Sequence, residues 1–144
     1  MIDSDQALNF ANRVADEAGR IAMSHFRQGL AVEHKGDDSP VTIADRNIEA
    51  YLRAEITQTF PDHGIFGEEE GAENLDRRHI WVVDPIDGTK SFITGHPLFG
   101  GLLALLDRAQ ASCPPVALAA RCARWPHAGR QSFMTPAAAR PRPW

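Results

Sequence analysis

The chain has few cysteines, no long apolar run and, beyond one point, no acidic residues. Its two cysteines, Cys113 and Cys122, are too few and too irregularly placed to argue for a disulfide framework or a metal site. No stretch approaches the roughly 20 apolar residues a membrane-spanning helix needs. The start, Met1-Ile2-Asp3-Ser4-Asp5, is acidic and lacks the basic-then-apolar layout of a signal peptide, so the expected location is the cytoplasm. A net charge of −4 gives no general attraction to nucleic acid or to an anionic membrane. What remains is ordinary: 43% hydrophobic and 24% charged residues, as in soluble globular proteins, on 144 residues, enough for one domain with its own core.

The missing acid divides the chain. Residues 109–144 contain no Asp, Glu or Lys, but five Arg, six Pro, ten Ala and both cysteines. Residues 1–108 carry ten basic side chains against all 19 acidic ones. An Ala/Arg/Pro bias without acid is what a GC-rich gene yields in a shifted frame; a Pro-rich linker and a basic binding tail are the alternatives. Trp125, Phe133, Met134 and Trp144 fall at no helical or strand period. The expectation is a domain over 1–108 and a frameshifted or disordered tail over 109–144.

Within 1–108, apolar residues at three- and four-residue steps (Leu8, Ala11, Val14, Ala15, Ala18, Ile21, Ala22, Phe26) predict a helix over 4–28. Asp3 or Ser4 caps its start and Gly29 ends it. Residues 31–41 read as a turn between short extended pieces, its tip Lys35-Gly36-Asp37-Asp38-Ser39-Pro40 solvated. A second helix is predicted over 43–60, with Ala44, Ile48, Leu52, Ile56 and Phe60 on one face, Thr42 as N-cap and Pro61 beyond the end. Asp45, at the third helical position, suits the helix dipole, and that capping role alone accounts for it. A short strand, Gly64–Gly67, leads into Glu68-Glu69-Glu70, a run that in isolation reads as a solvated loop. A polar connection over 71–79 follows, then a strand at Ile80–Val83 and another over Leu98–Leu106, irregular at Gly100-Gly101. Alternating helices and strands suit a layered α/β domain.

The densest chemistry is Asp84-Pro85-Ile86-Asp87-Gly88-Thr89. Pro85 is expected to stop the strand before it. Two carboxylates three residues apart on a tight turn can supply oxygens to a hard cation such as Mg²⁺, which takes them at about 2.0–2.1 Å. If a helix starts there, the N–H groups of Gly88 and Thr89 can face a phosphate. Asp and Gly are also ordinary turn residues, and an Asp-x-x-Asp-Gly that merely ends a strand is the bland reading.

The longer context points beyond a turn. Trp81-Val82-Val83-Asp84-Pro85-Ile86-Asp87-Gly88-Thr89 resembles the signature of the inositol monophosphatase family of Mg²⁺-dependent, lithium-sensitive phosphatases. Gly67-Glu68-Glu69-Glu70 resembles its Gly-Glu-Glu metal motif, and Ser39-Pro40-Val41-Thr42-Ile43-Ala44-Asp45-Arg46 the segment that opens its second helix. The run Lys90–Gly100 is most similar to the histidinol-phosphate phosphatase branch, and the resemblance covers about residues 3–108. It implies an α/β fold of the layered, sugar-phosphatase-like kind, of which this chain carries the N-terminal half. It assigns Glu68, Asp84 and the Ile86 carbonyl to one Mg²⁺, and Asp84 with Asp87 to a second. Thr89, partnered by Asp45, would orient the attacking water with Glu68, and Gly88 and Thr89 would hold the phosphate. Lys35 and Asp37 are possible helpers, because the family's corresponding loop folds near the metals. The implied substrate is a small phosphorylated metabolite, either histidinol phosphate or an inositol or 3′-phosphoadenosine phosphate. The resembling enzymes are commonly dimers, so a homodimer is expected of an intact form. Relatives complete the second metal site from a Trp-Asp motif in their second half. Here the tryptophans precede Val82, Pro126 and the chain end. Weak or absent activity is therefore expected of this chain, and a non-catalytic metal-binding fragment is the competing reading.

Overall fold

The computed structural model describes residues 4–36, 40–108 and 116–124. Helix α1 spans Ser4–His25 and α2 spans Ile43–Thr59. Between them, β1 (Val32–His34) and β2 (Pro40–Thr42) form an antiparallel hairpin that pairs Val32 with Thr42. Then follow β3 (Gly64–Gly67), β4 (Ala72–Glu73), β5 (His79–Asp87), the short helix α3 (Thr89–Ile93), β6 (Gly100–Asp107) and β7 (Val116–Arg124). The last five strands form one sheet in the order β4-β3-β5-β6-β7; β3 and β5 run parallel and the other pairs antiparallel.

The period-two alternation of the strands decides which face the helices cover. Ile65, Trp81 and Leu105 share one cross-strand row, and Val83 and Leu103 another; all are buried in the core with the apolar stripes of both helices. Their alternates are Phe66, 49% exposed, Val82 and Leu102, 39% exposed, on the face away from the helices. Two aromatic groups organise the core. Phe10, Phe60 and Trp81 meet at centroid distances of 5.0–5.6 Å, and Phe26, Phe92 and Phe99 at 4.9–5.6 Å. Burying rings of this size is the largest apolar contribution available to a core this small.

Four expectations need correction. Pro85 does not end its strand: β5 continues to Asp87 through a register shift between Asp84 and Asp87. An extra residue there leaves the ladder interrupted, and an interruption tolerates a residue without an N–H. The irregularity expected at Gly100-Gly101 lies opposite it, on β5. Helix α1 ends at His25, before Gly29, and Arg27 takes a left-handed backbone with φ 61°. Arg27 offsets that strain by donating to the Gly95 carbonyl from Nε (3.2 Å) and Nη2 (3.0 Å) while its guanidinium lies over Phe26. The connection over 71–79 contains β4, which pairs with β3. Val116–Arg124, in the segment set apart by composition, pairs with β6 from Gly100 to Asp107. Residues 109–115 and 125–144 lie outside the described residues, as do Asp3 and Asp37.

Candidate functional site

The parallel pairing of β3 with β5 brings two acidic segments to one sheet edge. Gly67 is level with Val83, so the residues that follow each strand, Glu68 and Asp84, emerge side by side. The Glu68 N–H donates to the Val83 carbonyl (3.1 Å), extending the ladder into the acidic turn. The bulge then carries Ile86 into the core and leaves Asp87 exposed.

Gly88 follows with φ 88°, and a Cβ there would lie 2.9 Å from the Leu98 carbonyl, so both conformation and space require glycine. The chain turns at Gly88 into α3, whose first residue is Thr89. The Thr89 hydroxyl lies 2.9 Å from the Ile86 carbonyl and 3.4 Å from Asp45 Oδ1.

Asp45 arrives from α2 by the expected cap. The Thr42 hydroxyl accepts from the Ala44 N–H, and Asp45 Oδ2 accepts from the Thr42 N–H (2.8 Å) and hydroxyl (2.6 Å). With Oδ2 so engaged and the residue 1% exposed, Oδ1 is left directed to Thr89. Capping and site placement are thus served by the two oxygens of one carboxylate.

The electrostatics single out Asp84. Its Oδ1 is buried and has no hydrogen-bond partner. Burial comes first in pushing its carboxyl from the usual 3.8 up to about 8, followed by a hydrogen bond with Glu68 and the negative charges of Glu68, Asp87 and Asp45. Residues 84 and 85 line a small apolar cavity with Ala15, Ala18, Ile48 and Leu52, surroundings that solvate a charge poorly. On the other side, Lys35 from the β1–β2 loop reaches Glu69 (2.8 Å) and Glu68 (3.4 Å). Burial raises the Glu69 carboxyl, against the opposing pull of Lys35. Burial also lowers Lys35, but its two glutamates outweigh that and raise it.

Glu68, Asp84, Asp87, Asp45, Ile86, Gly88 and Thr89 are therefore gathered at one strand-end edge. Among the described residues, no group of three or more His, Cys, Asp or Glu side chains converges tightly enough to enclose an ion. Two residues at this edge were not read from the sequence. Glu49, fully buried, accepts the N–H groups of Glu69 (2.7 Å) and Glu70 (3.0 Å), and Arg53 pairs with it at 2.9 Å. Their signal was the four-residue spacing Asp45, Glu49, Arg53, a polar stripe beside Ile48, Leu52 and Ile56.

Comparison with known proteins identifies the family. The inositol monophosphatase family model matches residues 3–118. A histidinol-phosphatase of Chlorobaculum parvum is 46% identical over 99 residues, covering 68% of this chain and 38% of that protein. A histidinol-phosphatase of Mycobacterium tuberculosis is 39% identical over 136 residues, covering 94% of this chain and 51% of that protein. The solved inositol monophosphatase of Zymomonas mobilis superposes with a TM-score of 0.65 at 39% identity, over 86% of this chain and 45% of that one. The chain thus spans half or less of these relatives' length, apart from a marginal excess in the mycobacterial one. By its strand-end carboxylates, its capped second helix and the family match over most of its length, this chain belongs to the inositol monophosphatase family.

Proposed function

We propose that this chain carries the metal- and phosphate-binding half of a Mg²⁺-dependent phosphate monoester hydrolase, with histidinol phosphate as the substrate. The observation that carries the reading is Asp84: a carboxylate with a buried, unpartnered oxygen, set among three other acids, is a site that a divalent cation would complete. The donors are oxygens only, which fits a hard cation. Glu68, Asp84, Asp87 and the Ile86 carbonyl are the groups that would hold it. Bound magnesium supplies neutralisation of phosphoryl charge and activation of water.

The rest falls to the protein. The N–H groups of Gly88 and Thr89 bind phosphate oxygens at the turn. Thr89 orients the attacking water with Glu68, its own hydroxyl proton held by Asp45 Oδ1 or the Ile86 carbonyl. Capping fixes Asp45, so this orientation needs little rearrangement.

The substrate assignment rests on Lys90–Gly100. Its Leu98-Phe99 portion lies against Gly88, where it can shape the approach to the phosphate turn, and Leu98 is 55% exposed. The relatives named for histidinol phosphate favour that compound, and the Zymomonas likeness keeps inositol phosphate as the comparison. The test uses a protein in which residues 1–108 are joined to a complete second half. Its kcat/KM for histidinol phosphate should exceed that for inositol 1-phosphate at fixed Mg²⁺. Equal or inverted ratios remove the histidinol assignment, and hydrolysis unaffected by chelating Mg²⁺ removes the metal reading. On this proposal the 144-residue chain alone hydrolyses either compound weakly or not at all.

A further inference from the structure

We infer that the buried Glu49–Arg53 pair is a positioning device that sets the backbone of the Glu68-Glu69-Glu70 turn and through it the Glu68 carboxylate; this rests on the reading of Glu68 as a cation- and water-facing group. The turn is held at every point by hydrogen bonds. It begins with Glu68 N–H on the Val83 carbonyl (3.1 Å) and closes with Gly67 N–H on the Gly71 carbonyl (2.9 Å). Between these, the Glu49 carboxylate takes the next two amides, Glu69 N–H on Oε2 and Glu70 N–H on Oε1. Arg53 braces the far side: Nε on Glu49 (2.9 Å), Nη1 on Glu73 (2.9 Å) and Nη2 on the Gly71 carbonyl. The seat is tight, since a Cβ on Gly67 would fall 1.9 Å from Glu49 Oε1.

Core stability alone is a poor explanation for this arrangement. Glu49 is 0% and Arg53 8% exposed, and an ion pair buried that deeply often contributes no more than apolar residues of the same volume. Placing a fourth carboxylate beneath three consecutive glutamates also works against the local charge, and Arg53 is what offsets it. Apolar residues cannot accept two successive amides or hold the Gly71 carbonyl. The pair therefore does something packing does not: it fixes where the backbone of residues 68–70 runs. Groups that orient a metal ligand from behind typically change metal affinity by about 10–100-fold when altered.

The test uses the complete 144-residue chain, with Mn²⁺ as the calorimetric probe. Glu49→Gln keeps the shape but loses one acceptor and the charge. It should weaken Mn²⁺ binding at least tenfold and accelerate amide exchange at Glu69 and Glu70 beyond any global change in α2 and β5. Arg53→Lys keeps the charge beside Glu49 but cannot reach Gly71 and Glu73 together, and should give a smaller loss of the same kind. It also decides the question should Glu49→Gln fail to fold. Wild-type Mn²⁺ affinity in a folded Glu49→Gln chain, or in Arg53→Lys when the first does not fold, overturns the positioning role alone. A wild-type chain that binds no Mn²⁺ overturns the metal reading, and the positioning role with it.

Discussion

Replacing Asp84 by Asn should stabilise the metal-free chain at alkaline pH, although on the proposed reading it removes a metal ligand. In the folded chain Asp84 holds its proton up to about pH 8, against 3.8 ordinarily. Its favourable contribution is therefore full below 3.8 and is lost as pH rises towards 8. The full interval corresponds to about 6 kcal/mol, at ~1.4 kcal/mol per pH unit. Asp84 is only partly buried, so solvent screening brings the working figure to about 2 kcal/mol. Asn cannot ionise, and its amide can donate to Glu68. Urea denaturation without divalent metal should find Asp84→Asn more stable than wild type by about 2 kcal/mol at pH 8.5, the two converging near pH 3.5. A variant destabilised equally at both pH values would refute the reasoning, because it would make Asp84 a packing residue and not a repelled charge.

Asp45→Asn should cost about 1 kcal/mol of stability through the weakened cap, measured by urea denaturation. In a complete enzyme it should reduce Mg²⁺-dependent hydrolysis less than Asp84→Asn does. His63 gives a pH effect of opposite sign: burial and the neighbouring His79 lower it to about 4, and its Nδ1 accepts from the Trp81 indole at 3.1 Å. Its contribution is full above pH 6.5 and is lost as pH falls towards 4, so His63→Asn should flatten the stability profile in that window. An unchanged slope there would place the acid sensitivity elsewhere.

Features carried by local chemistry were the legible ones. Thr42 as N-cap follows from residue type and offset, and the structure places it there, with Asp45 completing a capping box. The strands at Gly64–Gly67 and Ile80–Val83 follow from two short apolar runs each ending in acid, and their parallel pairing brings Glu68 and Asp84 together. Pro85 was misread because proline's missing N–H argues against a regular ladder, whereas the ladder here is bulged where the proline sits. Strand β4 is two residues long and owes its existence to β3 beside it, a partner no local pattern announces. The spacing of Glu49 and Arg53 misleads for a related reason. Glu at one position and Arg four later on a helix normally form a solvent-facing pair, and only the turn folding over them makes them buried. Val116–Arg124 pairs along the edge that β6 presents, a partner that local pattern does not announce either.

On the proposed reading, the acids at the end of β5 form a cation site. The Asp84 carboxyl reports on it directly, through its ¹³C resonance followed against pH with and without Mg²⁺. Without the cation the midpoint should lie near 8, driven by burial and by Glu68. At saturating Mg²⁺ it should fall to the ordinary carboxylate range or below, because a bound cation favours the ionised form. A midpoint that stays near 8 at every Mg²⁺ concentration would contradict the account.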